Sequence, residues 1–237
     1  MSSQTSRANE NGGGTHTDLD TVVLHIELTL ISIIQGVALT FLVERSYEVL
    51  ADTRVLFWPY VASGLLTVLV FWSRALVHTL TVIRWPLELT HNFMYIACSL
   101  LEAVTFTQLT NPFRWYTFNA LFSCMVLILF AVDLRMIRRC MKEGGGPASS
   151  RLFGMVQREQ LLAITLFMPG SLLFNLFAAA AVHFWPGPLL QQGGHALIGL
   201  LQTAGALVYL IYGVRFFSRV VPLIALGREE WRKKALS

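Results

Sequence analysis

The sequence has few charged residues for its length. Asp, Glu, Lys and Arg make up 14% of the 237 residues, whereas hydrophobic residues make up 54% and the mean hydropathy is +0.57. An ordinary soluble domain carries roughly a quarter charged residues. The composition therefore excludes that class and indicates a protein of the lipid bilayer, organised as one membrane domain.

Cysteines and the common catalytic motifs are also scarce. The three cysteines, Cys98, Cys124 and Cys140, show no CxxC spacing, and two of them lie in apolar segments. This favours small buried side chains over a disulfide framework. A phosphate loop, a nucleophile elbow, HExxH and GxGxxG are all absent from the sequence. We therefore find no motif for enzyme chemistry on a soluble substrate.

Six apolar stretches are long enough to cross a bilayer as helices. They cover residues 19–43, 55–83, 86–109, 113–136, 159–185 and 194–217, with proline breaks at Trp85-Pro86 and Asn111-Pro112. Residues 1–17 are rich in Ser, Asn, Gly and Thr, which predicts a disordered tail, and residues 228–237 form a basic C-terminal tail. The sequence thus predicts an all-α, six-helix transmembrane bundle over residues 18–227.

Basic residues gather at two places that six crossings put on one side of the membrane. Twelve of the 18 Lys and Arg residues lie in these two regions: Arg135, Arg138, Arg139, Lys142, Arg151 and Arg158, and Arg215, Arg219, Arg228, Arg232, Lys233 and Lys234. The positive-inside rule then places both termini in the cytoplasm and the uncharged turn 186–193 outside. In a bacterium the protein would lie in the inner membrane. Despite a net charge of +4, we expect anionic lipid headgroups, and not nucleic acid, as the partner of these clusters.

Polar side chains recur along one edge of each of the first four spans. Ionisable groups at membrane depth are costly, so they usually face a bundle interior. At 100° per residue, His91 and Glu102 share one face of span three, and Arg74 and His78 share one face of span two. The predicted polar interior consists of Glu102, His91, His78, Arg74, Asp133, His25, Glu88, Asn92, Gln35 and Asn119.

Ion pairs are expected within this interior. Arg74 is predicted to pair with Asp133 or Glu88, and a histidine with a neighbouring carboxylate. Glu102 has no basic partner in the pattern, whereas Glu27, about 200° from His25 on its helix, is predicted to face solvent. These polar groups could serve only to fix helix packing. Alternatively, a carboxylate near the middle of a span suits a path for protons or cations.

Three functions remain open from the sequence. The first is transport of a proton or small cation by a channel or transporter subunit. The second is a redox subunit that binds b-type haem or quinone through its histidines, including His183 and His195, although no haem attachment motif is present. The third is an accessory or scaffold subunit of a membrane complex. No metal is predicted, because the Glu-x-x-His spacing of Glu88 and His91 has no second copy.

An assembly of several chains is also expected. Span six carries small residues along one stripe, including Gly199, Ala206 and Gly213. Small residues let helix backbones approach closely in lipid. The sequence therefore predicts a homo-oligomer or a subunit of a larger membrane complex.

Overall fold

The computed structural model describes the backbone of residues 5–52, 54–82, 88–143 and 146–236, and the side chains of residues 22–52, 54–82, 88–142 and 146–230. Within these ranges the chain consists of helices and short turns, with no strand. The all-α class is thus confirmed. The predicted break at Trp85-Pro86 lies outside the described residues, as do the side chains of the basic tail from Trp231 onward.

Seven α-helices follow one another in the described ranges. They are α1 (Thr5–Ala51), α2 (Trp58–Thr81), α3 (Leu89–Phe106), α4 (Pro112–Glu143), α5 (Pro147–Leu162), α6 (Met168–Phe184) and α7 (His195–Leu236). A π-helical turn, Ala163–Phe167, joins α5 to α6 directly. Pro112 and Pro147 begin α4 and α5, where the missing proline N–H is not needed.

Five helical segments are long and apolar enough to cross a membrane. They are Val22–Ala51, Val55–Thr81, Pro112–Lys142, Pro147–Phe184 and His195–Glu230. The fold is therefore compatible with a multi-pass membrane protein. α3 is not among the five, so the sixth crossing and the placement of both termini in the cytoplasm stay predictions.

Helices occupy much of the predicted polar connection after span four. α4 continues to Glu143 and α5 begins at Pro147, twelve residues before the predicted start of span five. These extensions are amphipathic: Ile137, Leu152 and Val156 are buried in one core cluster with residues of α2 and α7. Burial of one apolar face thus stabilises these helical segments, although their mean hydropathy is low.

α1 begins earlier than the predicted first span. Its backbone is helical from Thr5, within the segment predicted to be a disordered tail. The side chains before Val22 lie outside the described residues, so the tail stays a prediction.

α3 carries polar residues into the middle of the bundle. It contacts both α1 and α4, while α2 packs against α1 and α7, and α4 packs against α6. Leu89, Phe93 and Leu100 are exposed on its outer face. Its buried face is largely polar and includes His91, Asn92, Tyr95, Ser99, Glu102 and Thr105.

Candidate functional site

Two histidines and an aspartate from three helices form a buried cluster. His78 lies in the last turn of α2, His91 in the first turn of α3, and Asp133 in α4. His91 Nδ1 lies 2.7 Å from Asp133 Oδ1, and His78 Nδ1 lies 3.7 Å from Asp133 Oδ2. The two imidazole rings are stacked with centroids 4.5 Å apart. We call these three residues the His–Asp–His cluster.

A buried arginine lies one helical turn before His78. Arg74 forms an ion pair with Glu159 of α5 and donates a hydrogen bond of 2.9 Å to Gln160 Oε1. The guanidinium carbon also lies 5.3 Å from the centroid of the Phe130 ring. Gln160 Nε2 in turn donates to the backbone oxygen of Phe130 at 3.0 Å. The Arg74 side chain is therefore held in place by groups of α4 and α5.

The cluster and this ion pair line one small cavity. Its volume is about 20 Å³, and its walls include Arg74, His78, His91, Asp133 and Glu159. That volume accepts about one water molecule or one small ion. Among the described residues, four buried atoms of the lining side chains have no hydrogen-bond partner: Arg74 Nε, His78 Nε2, the Tyr95 hydroxyl oxygen and Glu159 Oε1. The cavity walls therefore carry binding capacity that the protein itself does not use.

Negative charge exceeds positive charge among the buried side chains. In the described part of the chain, Glu27, Glu102, Asp133 and Glu159 are buried, and Arg74 is the only buried Lys or Arg. Glu27 is next to the cluster, since its Oε1 accepts a 2.7 Å hydrogen bond from Asn92 Nδ2, and Asn92 follows His91. An uncompensated buried charge is very costly. The carboxyl groups beside the cavity therefore need a proton or a bound cation to offset their negative charge.

A second buried polar group surrounds Glu102. Gln35 Nε2 of α1 donates to Ser99 Oγ at 3.2 Å and to Glu102 Oε2 at 3.3 Å. Within the described ranges, Glu102 Oε1 has no hydrogen-bond partner, and neither has the Tyr95 hydroxyl. Tyr95 lies on α3 between His91 and Glu102, and it also lines the cavity. Eleven residues of helix separate His91 from Glu102 by about 16 Å.

A third polar group was missed by the sequence analysis. Tyr60 of α2 and Tyr116 of α4 both donate to the backbone oxygen of His195, at 3.2 and 3.3 Å, and their hydroxyls are 3.2 Å apart. The Tyr60 hydroxyl also lies 3.1 Å from His195 Nδ1. Tyrosine is enriched where spans meet the membrane surface, so no separate sequence signal marked these two residues. They fix the start of α7 against α2 and α4.

Asn175 and Gln202 also join helices in this part of the bundle. Gln202 Oε1 accepts a 2.8 Å hydrogen bond from Trp115 Nε1, and Gln202 Nε2 donates to Asn175 Oδ1 at 3.0 Å. These contacts link α4, α6 and α7. Both side chains thus serve helix packing and do not line the cavity.

The structure brings seven of the ten predicted polar residues into two separate buried groups. Arg74, His78, His91 and Asp133 line the cavity, and Asn92 adjoins them. Gln35 and Glu102 contact each other about 16 Å along α3 from His91. Asn119 is buried, and its amide donates to the backbone oxygen of Trp115, one turn earlier on α4. Asn119 therefore belongs to helix packing.

Two predicted positions on α1 are wrong: His25 in the polar interior and Glu27 facing solvent. His25 is exposed, whereas Glu27 is 2% exposed and bonded to Asn92. The buried face of α1 carries Glu27, Ile31 and Gln35, which recur every four residues. His25 lies about 200° from Glu27 and so points away from that face.

The predicted partner of Arg74 is also wrong. Arg74 pairs with Glu159, and not with Asp133 or Glu88. The early start of α5 places Glu159 beside α2, which the predicted span boundary did not anticipate. Glu88 instead precedes α3 at a half-exposed position, with Oε1 3.4 Å from Arg139 Nη1. The predicted pairing of a histidine with a carboxylate is confirmed by His91 and Asp133.

Haem does not fit these histidines. His78 and His91 stack face to face, whereas axial ligands direct their nitrogens at an iron between them. A cavity of about 20 Å³ has no room for a porphyrin. His183 packs on Phe113 and His195 on Tyr60, so they do not form a facing pair. A metal ion is different, because the donor atoms of His78, His91 and Asp133 all lie within 4.8 Å of one another.

Comparison with known proteins does not name a family. Protein-family models, curated proteins and solved structures give no significant match to this chain. The functional conclusion therefore depends on the geometry of the site.

Proposed function

We propose that this protein is an integral membrane transporter or channel that moves a small cation, a proton or a metal ion, by binding it at the His–Asp–His cluster. The observation that carries the proposal is the excess of buried carboxyl groups over buried basic groups in the described residues. A site that needs a positive charge, and has imidazole and carboxylate groups to receive it, is a cation-binding site.

The size of the cavity limits what can be carried. About 20 Å³ holds a single water molecule or a bare ion, but not an ion with its hydration shell. The ligand must therefore exchange its water for protein groups, and His78, His91 and Asp133 supply them. This favours a selective site over an open aqueous pore.

Glu102 provides a second position for the cation farther along α3. It is 1% exposed, and one of its carboxyl oxygens has no partner among the described residues. Tyr95 lies between the cluster and Glu102 on the same buried face. We propose that the cation passes from one position to the other along this face when the helices move apart.

Flux measurements in liposomes test the proposal. Reconstituted protein should dissipate an imposed gradient of protons or of a metal cation, detected with an enclosed dye. Asp133→Asn and Glu102→Gln should each reduce the rate, because an amide cannot neutralise a cation. Glu48→Gln, at an exposed carboxylate paired with Arg45 on α1, is the matched control and should leave the rate unchanged.

Two outcomes would reject the proposal. If no cation crosses in the presence of the native protein, the polar interior serves only helix packing, as in a scaffold subunit. If both variants transport at the native rate while eluting as folded protein, the cluster and Glu102 have no part in transport.

A further inference from the structure

We propose that the His–Asp–His cluster is a binding site for a divalent transition-metal ion such as Zn²⁺. The inference deepens the proposed function by naming the class of cation, and its role in transport rests on that function. Binding itself is a separate property and can be measured without any flux.

The geometry of the donor atoms is close to that of a zinc site. Tetrahedral zinc with ligands at about 2.0–2.2 Å holds pairs of ligand atoms about 3.4 Å apart. The donor atoms of His78, His91 and Asp133 lie within 4.8 Å of one another, and His91 and Asp133 are separated by 2.7 Å. An ion would replace the proton shared by His91 and Asp133. Binding would therefore require His91 Nδ1 and Asp133 Oδ1 to move apart from 2.7 Å to about 3.4 Å.

The local charge favours an ion with two positive charges. With neutral imidazoles, the buried groups Glu27, Asp133 and Glu159 against Arg74 give a formal charge of −2. Glu159 and Gln160 occupy the two terminal nitrogens of Arg74, so that cation is already paired. One divalent ion would neutralise the whole group.

The type of ligand selects a transition metal. Mg²⁺ and Ca²⁺ prefer oxygen ligands, whereas two imidazoles with one carboxylate suit Zn²⁺, Fe²⁺ and related ions. Three protein ligands leave a further coordination position open. Water or Glu159, which lines the same cavity, could occupy it.

Unsatisfied polar atoms independently indicate a ligand in the cavity. His78 is 7% exposed and Glu159 is 4% exposed, yet His78 Nε2 and Glu159 Oε1 lack a hydrogen-bond partner within the described residues. Both residues line the cavity. Arg74 Nε and the Tyr95 hydroxyl, on residues that line the same cavity, also lack a partner among the described residues. Buried polar atoms are normally paired with protein or water, so these four atoms at one cavity call for an occupant.

A metal titration of the full-length protein in detergent tests the site. After removal of metal with a chelator, Co²⁺ should bind at one ion per chain with the visible absorption of a tetrahedral centre, and Zn²⁺ should displace it. His91→Ala and Asp133→Asn should each weaken binding by more than about 100-fold, because even outer-shell changes cost 10- to 100-fold. His25→Ala, at an exposed histidine of α1, should bind as the native protein does.

A second readout covers variants that fold poorly. Zn²⁺ should raise the melting temperature of the native protein and of His25→Ala, but Mg²⁺ should not. Absence of Co²⁺ binding to the native protein, or equal binding by the native protein and the folded ligand variants, would overturn the inference.

The results also separate this inference from the proposed function. Metal binding without flux would support the site and reject transport. Proton flux without metal binding would support transport and reject the metal.

Discussion

Among single residues, Arg74 and Glu159 best show how this interior is stabilised. Their side chains are 9% and 3% exposed and form an ion pair inside the bundle. Such a pair contributes little net stability compared with apolar residues, but loss of one partner leaves the other charge buried and alone. The pair therefore makes each of its members hard to replace singly.

Substitution of one partner should be strongly destabilising. We expect Arg74→Met or Glu159→Met to lower the free energy of unfolding by about 3–5 kcal/mol, and the double variant to lose less than the sum of the two. Arg45→Met, which breaks an exposed pair with Glu48, should change it by less than about 1 kcal/mol. Denaturant unfolding in detergent measures these values. Additive losses at Arg74 and Glu159 would show that the two charges do not interact.

The sequence predicted cluster residues but not all of their contacts. Angular spacing on α2 and α3 correctly placed His78 and His91 inside, because a helical face is fixed by residue number alone. Glu27 and Glu159 were missed, because their burial depends on which face of α1 is covered and where α5 begins. Those are properties of packing between helices, and one sequence contains no direct record of them.

Among the helices, the start of α5 depends on a residue near the end of α7. The Glu230 carboxylate accepts hydrogen bonds from the backbone nitrogens of Ala148 and Ser149 at 3.0 and 2.9 Å, and from Ser149 Oγ at 3.0 Å. The first N–H groups of a helix have no partner within the helix. A negative charge at this position also interacts favourably with the helix dipole.

Removal of this contact should loosen the start of α5. We expect Glu230→Ala to cost about 0.5–2 kcal/mol and to speed amide hydrogen exchange at Ala148 and Ser149. Glu229→Ala, at the exposed neighbouring position, should leave that exchange unchanged. Equal exchange in the two variants would show that Glu230 does not stabilise α5.

The same contact explains why Gly146 suits its position. A Cβ atom there would lie 2.6 Å from Glu230 Oε1, closer than real contacts allow. Gly146→Ala should therefore reproduce part of the Glu230→Ala effect, which the same exchange experiment detects.

For the whole molecule, the main open prediction is its orientation in the membrane. The lengths of the apolar stretches predicted the long helices well, because a helix needs about 20 apolar residues to cross the bilayer core. It did not predict the amphipathic extensions of α4 and α5, which are stabilised by contacts among α2, α4, α5 and α7. The charge count still places the turn at 186–193 on the side opposite to both termini.

Cysteine labelling tests this orientation. After replacement of the three native cysteines by serine, Gln192→Cys should react with an impermeant maleimide in intact cells. Ser237→Cys should react only after the membrane is permeabilised. Labelling of both positions from the same side would reject the six-crossing arrangement.

The most direct test of the account is an experimental density map of the protein in lipid nanodiscs, recorded with and without Zn²⁺. We predict lipid around the five long apolar segments and, in the zinc sample, added density among His78, His91 and Asp133 in a cavity next to Glu159. If both maps show these side chains closed on one another, with no density between them, the cluster does not bind a cation in the way proposed here.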